Sequence, residues 1–264
     1  MAGSESIYEE LRARVRAESP VALATVVDGP HVGGRMLVAP DRVPMGTLGD
    51  EDLDRVVARD ARGELDAARS GIRHYGLQGQ AGEDAVSVFI ESFAPPPEMW
   101  VFGAVDFTAA LARVAKVLGY RVIVCDARPV FATSRRFPMA DEVVVEWPNR
   151  LIEERGSRLG PSDAICVLTH DAKFDVPAVV AALATDVGYI GALGSRRTDE
   201  DRRERLRAEG VTEEQLARVM GPIGLDLGAR TPEETAISIV AEIIALRTGR
   251  PARSLRDTAG DIHG

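Results

Sequence analysis

Apolar residues fall into two patterns along the chain. Before Ala94, short apolar runs alternate with charged stretches. Tyr8 to Arg16 predicts a charged helix, and Val21 to Val27 is an apolar run of strand length that Asp28-Gly29-Pro30 turns back toward a second strand at Arg35 to Val38. Asp50 to Ala68 places Leu53, Val56, Val57 and Leu65 at helical spacing behind an acidic first turn that suits the helix dipole. Val86 to Ile90 predicts a further strand. These elements make residues 1–94 a small α+β domain. Consecutive prolines at 95–97 lack amide donors, so 95–98 reads as a stiff linker.

Beyond the linker, strands alternate with helices, which predicts a Rossmann-like α/β domain over 99–250 with a parallel sheet and crossover helices. The strands are Met99–Gly103, Tyr120–Asp126, Glu142–Glu146, Asp163–Thr169 and Val187–Leu193. Helices fit at Thr108–Leu118, Asn149–Arg155, Val176–Ala184 and Pro232–Arg247, the last with Thr231 as its cap and proline at its start. Residues 251–264 read as a flexible tail.

In an open parallel sheet, ligands bind beyond the carboxyl ends of the strands, so the residues after each strand are the site candidates. After the first strand, Gly103-Ala104-Val105-Asp106 keeps only the first glycine of a dinucleotide-binding turn. Val105 stands where a second glycine would let pyrophosphate approach, and Asp106 puts negative charge at the helix start. Asp126 ends the second strand, at about the separation from Gly103 where an acid accepts from a ribose. It is either that acceptor or a turn former, and Arg128 leaves room for a 2'-phosphate, so NAD or NADP enters as a possible cofactor. Thr169-His170-Asp171 follows the fourth strand; His170 is a proton carrier, a metal ligand, or a histidine bonded to Asp171.

The fifth strand ends in Gly191 to Thr198, where Gly194, Ser195, Arg196, Arg197 and Thr198 have the chemistry of an anion site: close backbone approach, helix amides and bidentate guanidinium donors. The alternative pairs both arginines with Glu200, Asp201 and Glu204 on a solvated helix face. Gly221 to Arg230 is a long loop in which Gly221, Gly224 and Asp226 either shape a ligand site or carry the chain across the sheet edge.

Composition narrows the function classes. The chain has 264 residues, 45% of them hydrophobic, enough for two cores. A net charge of -9 argues against nucleic acid as a partner. The acidic start lacks the apolar run of a signal peptide, and no stretch reaches spanning length, so a cytoplasmic protein without membrane association is expected. Both cysteines, Cys125 and Cys166, lie in apolar strand-like runs and read as small buried hydrophobes. No metal site is assigned.

Leu168-Thr169-His170-Asp171, Gly191 to Thr198 and Gly221 to Glu234, in that order and spacing, together with Arg136-Phe137-Pro138 and Ala140-Asp141, resemble the motifs of the xanthine dehydrogenase accessory (XdhC/CoxI) family. The likeness runs from Met99 to Arg247 and continues, more thinly, through Leu23 to Val27, Arg35 to Val38 and Gly46. It implies a non-catalytic chaperone that binds molybdenum cofactor (molybdopterin), assists its sulfuration and hands it to a molybdenum hydroxylase. The implied partners are that client, a sulfur donor of the cysteine desulfurase type and a second copy of the chain in a homo-oligomer. Where the family has a glycine-glycine-cysteine segment, this chain has Leu48-Gly49-Asp50, and a second cysteine segment is missing around Gln80 to Asp84, so a thiolate role does not carry over. An NAD(P)-dependent oxidoreductase and a degenerate Rossmann interaction protein are the competing expectations.

Overall fold

A computed structural model describes residues 2–66, 69–79, 85–169 and 171–258. The candidate His170 and the segment from Gln80 to Asp84 lie outside the described residues. The chain divides into two compact units, Met1–Pro96 and Pro97–Gly264.

The first unit contains α1 (Ala2–Arg16), β1 (Val21–Asp28), β2 (Arg35–Val38), β3 (Met45–Thr47), α2 (Glu51–Asp66), β4 (Gly71–Tyr75) and β5 (Val86–Phe93). Its five strands form one antiparallel sheet in the order β3-β2-β1-β5-β4. Side chains alternate across a strand. Ala22, Ala24 and Val26 of β1 pack with Leu53, Val57, Ala61 and Leu65 of α2, while Val21 and Leu23 join Ile7 and Leu11 of α1. The expected strands and helices of this unit are present. β3 and β4 were not expected: β3 has only three residues, and β4 is an edge strand whose Ile72, Arg73 and His74 face solvent and show no apolar alternation.

The second unit contains β6 (Glu98–Phe102), α3 (Asp106–Val117), β7 (Arg121–Cys125), β8 (Glu142–Val144), α4 (Pro148–Arg155), β9 (Ala164–Val167), α5 (Ala172–Leu183), β10 (Tyr189–Ala192), α6 (Arg196–Ala208), α7 (Glu213–Ala217), β11 (Val219–Met220) and α8 (Pro232–Thr248). Its six parallel strands run β11-β10-β9-β6-β7-β8, the order of a doubly wound dinucleotide-binding fold, with the chain reversing direction between β6 and β9. Successive residues serve opposite faces. Met99, Val101, Val122, Val124 and Cys166 face α3 and α8, whereas Trp100, Phe102, Ile123, Cys125 and Ile165 face the layer of α4 and α5. Burial on both faces explains why these strands read as unbroken apolar runs.

Element boundaries differ from expectation at several places. Glu98, placed in the linker, starts β6, and its N–H donates to Asp163 Oδ1 at 2.6 Å. α5 begins a turn before the expected Val176, because the Asp171 side chain caps it by accepting from the Lys173 N–H at 3.1 Å. Within the expected tail, Leu255–Asp257 forms a short 3-10 turn.

Gly103 ties the two sides of the reversal together. Its φ is +110°, and a Cβ there would lie 2.9 Å from the backbone nitrogen of Thr169. Gly103→Ala is expected to destabilise the second unit by about 2 kcal/mol through left-handed strain and the backbone clash. Urea unfolding followed by tryptophan fluorescence checks this, and an unchanged midpoint would contradict the packing described.

Candidate functional site

Parallel strands deliver the turns after β6, β7, β9, β10 and β11 to one edge of the sheet. Gly103 and Ala104 follow β6, Asp126 and Arg128 follow β7, Thr169 and Asp171 follow β9, and Gly194 to Thr198 link β10 to α6.

Asp126 is 3% exposed, and its two oxygens are fully engaged by its own chain. Oδ2 accepts from the Ala104 N–H at 2.8 Å and from Arg128 Nη2 at 2.8 Å, and Oδ1 accepts from the Arg128 backbone N–H and Nε, each at 2.9 Å. A carboxylate offers about four lone-pair sites, and all are occupied. Burial works against the charge, yet the Arg128 guanidinium and the two backbone donors hold the carboxyl below the usual carboxylate range. Asp126 therefore fastens the Gly103–Ala104 turn to Arg128, and a ribose diol would have to displace those bonds. At α3, Val105 stands at the N-cap with no side-chain cap bond, and the Asp106 carboxylate projects into solvent. Both features oppose a pyrophosphate in the usual dinucleotide pose.

Under the β9 and β10 turns lies a buried polar network that the sequence did not disclose. The Thr169 hydroxyl donates to Asp175 Oδ1. Asp175 Oδ2 faces Arg202 Nη2 at 3.5 Å, Arg202 Nη2 donates to the Leu193 carbonyl at 2.6 Å, and Arg202 Nη1 reaches Asp199 Oδ1 at 3.3 Å. Arg203 closes the chain by donating to Asp199 Oδ2 at 2.7 Å and to the Val219 carbonyl at 3.2 Å. Burial pushes the Asp175 carboxyl up to about 6, with Arg202 pulling the other way. In the sequence these residues read only as charged positions of α5 and α6, with nothing to show that they turn inward.

The network holds the turn into α6 in place from below. Ser195 caps α6 through Thr198 N–H at 3.1 Å, and the two hydroxyls lie 2.9 Å apart. Arg196 is 85% exposed and stands 3.9 Å from the open carboxylate of Asp226. Arg197 is exposed and forms no ion pair among the described residues. The anticipated pairs to Glu200, Asp201 and Glu204 are not among the ion pairs found. Both guanidiniums are therefore open to a ligand.

Gly221 and Gly224 face the protein. A Cβ on Gly221 would strike the Asp199 carboxylate, and Gly224, with φ +96°, presses on Ser238 of α8. The Gly224 N–H donates to Glu242 Oε2 at 2.9 Å, which also accepts from the Tyr189 hydroxyl at 2.6 Å. These two glycines shape the crossing of the sheet edge, which leaves Asp226 as the member of that loop nearest the arginines. Asp171 caps α5 and remains half-exposed, within electrostatic reach of Arg128 across the reversal.

Cys125 and Cys166 are fully buried in β7 and β9. Burial pushes the Cys125 thiol up to about 12 despite its bond to the Glu146 carbonyl, and Cys166 higher still. Neither is a thiolate at neutral pH. Elsewhere, an open groove of about 760 Å³ between α4 and α5 is lined by Ile152, Val176 and Val180 together with Glu153, Asp186 and Glu209. Those acids disfavour an anionic ligand. No helix among the described residues is long and apolar enough to cross a membrane.

The second unit thus has a Rossmann-type fold whose carboxyl edge presents exposed arginines at the start of α6. The chain belongs to the XdhC family: the profile described as the XdhC Rossmann domain matches residues 99–243, and that of the XdhC and CoxI family matches residues 14–76. The uncharacterized protein YqeB of Escherichia coli is 29% identical over 93% of this chain and 47% of its own length. A Bacillus subtilis protein named as a probable xanthine dehydrogenase subunit is 34% identical over 62% of this chain and 47% of its own. The molybdenum cofactor insertion chaperone PaoD of Escherichia coli is 25% identical over 60% and 43%. The chain spans about half the length of these curated relatives. A crystal structure described as a xanthine dehydrogenase from Bacillus halodurans superposes with a TM-score of 0.52 at 21% identity, covering 94% of this chain and 98% of that one, and shares the fold.

The raised carboxyl of Asp175 makes the stability of the second unit depend on pH. Its folded-state pKa, about 6, lies above the ordinary 3.8, so between those values the native state binds more protons than the unfolded one. This contribution to stability is complete below pH ~3.8 and is lost as pH rises through ~6. Relative to Asp175→Asn, the unmodified chain should lose stability from pH 4 to 6.5 and run parallel above pH 7 in urea unfolding series. Parallel curves throughout would refute the buried-carboxyl assignment.

Proposed function

We propose that this chain is an accessory protein of a molybdenum hydroxylase of the xanthine or carbon monoxide dehydrogenase type, and that its second unit holds molybdenum cofactor for insertion into that client. The observation that carries the reading is the turn from β10 into α6. Arg196 and Arg197, both free of carboxylates closer than 3.9 Å, stand at a helix start beside the Ser195 and Thr198 hydroxyls, on the edge where this fold binds ligands. Two guanidiniums and unshared backbone donors suit the phosphate of molybdopterin. The likeness to PaoD, named as a cofactor insertion chaperone, and to the probable xanthine dehydrogenase component of Bacillus subtilis supports the same assignment.

The residues fit NAD less well. Val105 and Asp106 crowd the pyrophosphate position, and Asp126 has no oxygen left for a ribose diol. The protonated, buried state of Cys125 and Cys166 also shapes the expected share in sulfuration. The chain presents the cofactor, and an external sulfur donor of the cysteine desulfurase type delivers the sulfur. In this reading the handover takes place in the cytoplasm, and the chain acts as a homo-oligomer.

Binding of molybdopterin, measured by native mass spectrometry and by fluorescence titration, tests the proposal. The unmodified chain should retain it, Arg196→Ala with Arg197→Ala should weaken binding at least tenfold, and Cys125→Ser should leave it unchanged. Equal affinity in the double-arginine variant would remove the α6 turn from the site, and no binding by the unmodified chain would overturn the function.

A further inference from the structure

A second cationic cluster stands on the opposite side of the reversal, in the loop from β7 to β8. Arg128 Cζ lies 4.5 Å from the centroid of the Phe131 ring, and Arg136 Cζ lies 5.6 Å from the same centroid. The ring is 39% exposed and the two side chains are 47% and 36% exposed, so the group opens to solvent. Its foundations are buried. Asp126 grips Arg128 through Nε and Nη2, and Phe137, 2% exposed, lies 5.4 Å beneath Arg136. Arg136 Nη1 also donates to the Phe131 carbonyl at 3.3 Å, which fixes its plane. An ordinary surface arginine has no such clamp, because a solvated guanidinium gains little from a fixed pose.

Position and chemistry give the cluster a meaning. The end of the second strand of a doubly wound sheet is where a nucleotide's sugar substituent lies, and an arginine there accepts a phosphate where a free acid would accept a diol. Here the acid is spent and the arginine is presented. The Nη1 of Arg128 and the Nε of Arg136 have no protein partner among the described residues, and the nearest carboxylate to Arg136 is the solvated Asp106 at 3.9 Å. Two guanidiniums 4.5 and 5.6 Å from one ring centroid bring paired cationic donors to one loop, chemistry suited to the two charges of a phosphate monoester. A phosphate capped as a pyrophosphate keeps one charge at that phosphorus and must continue its chain past Phe131.

We infer that Arg128, Phe131 and Arg136 form a phosphate-monoester subsite, with Asp126 as its positioning residue. The subsite selects ligands ending in a dianionic phosphate over those with a free diol or a capped phosphate at that point. The inference rests on the reading that the carboxyl edge binds a phosphate-bearing ligand. The monoester comes either from a 2'-phosphorylated nucleotide or from molybdopterin, whose single phosphate then sits here and not at the α6 turn.

Calorimetric titration of the full chain with two matched pairs tests this: NADP against NAD, which differ by one monoester, and molybdopterin against its cytosine dinucleotide, in which the monoester is capped as a pyrophosphate. At least one pair should show a tenfold or greater preference for the monoester member. Arg136→Ala should bring that preference below twofold, and Arg136→Lys should keep part of it. Since Arg136 is solvent-exposed, its variant keeps the wild-type melting temperature, whereas Arg128→Ala strands a buried carboxylate and is the less suitable probe. Preference in the nucleotide pair alone assigns the subsite to a sugar phosphate, and preference in the pterin pair alone assigns it to the pterin. Preference for NADP with no molybdopterin binding supports the subsite and sinks the cofactor role. Molybdopterin binding with no preference in either pair, preference surviving in Arg136→Ala, or no binding of any of the four ligands overturns the subsite.

Discussion

One buried guanidinium organises the ligand edge of the second unit. Arg202, 3% exposed, lies between Asp175 of α5 and Asp199 of α6 and donates to the carbonyl that ends the β10 turn. Through Thr169 and Arg203 the same network reaches the turn after β9 and the strand β11. Three apolar side chains of equal volume would hold the helices apart as well, and often at lower cost than a buried ion pair. They would not fix the Leu193 carbonyl or turn the Thr169 hydroxyl. The network therefore acts mainly on the placement of the turns above it. The arginines at the start of α6 keep their positions because the turn beneath them is fastened from inside.

Across the reversal between β6 and β9, a second carboxylate does comparable work in a different way. Asp126 holds the Gly103–Ala104 turn with one oxygen and orients Arg128 with both. A residue that the fold commonly offers to a ribose is here part of the framework, and Arg128 is the charge presented to solvent beside it. The edge now has arginines on both flanks, Arg196 and Arg197 on one and Arg128 and Arg136 on the other. In a chain of net charge -9, these arginines stand among the carboxylates of Asp106, Asp126, Asp171 and Asp226, so the edge offers separate cationic donors and not a uniform basic patch.

How much of this was legible in the sequence depended on what each residue faces. β6, β7, β9 and β10 were readable because both faces of a parallel sheet are buried, which writes each strand as an apolar run. β4 and β11 were not, since one is a polar edge and the other has two residues. The position of Asp126 was legible, but its partners were not: a ribose acceptor and a framework carboxylate look alike until Ala104 and Arg128 are placed beside it. Arg202 was invisible for a stronger reason. Charged residues on a helix ordinarily face water, and nothing in the local pattern of α6 marks one that turns inward. The glycines at 221 and 224 were correctly seen as constraints, yet whether a glycine yields to a ligand or to a neighbouring helix is a tertiary fact.

Everything proposed for the ligand edge depends on where the cargo sits. Molybdenum scatters anomalously, so a crystal of this protein grown with molybdenum cofactor would locate the metal directly. A single strong peak is predicted beyond the carboxyl ends of β6 and β9, between the turns at Gly103 and Asp171, with the pterin phosphate within reach of an arginine pair. A peak in the groove between α4 and α5, or at the antiparallel sheet of the first unit, would contradict a cargo site on that edge.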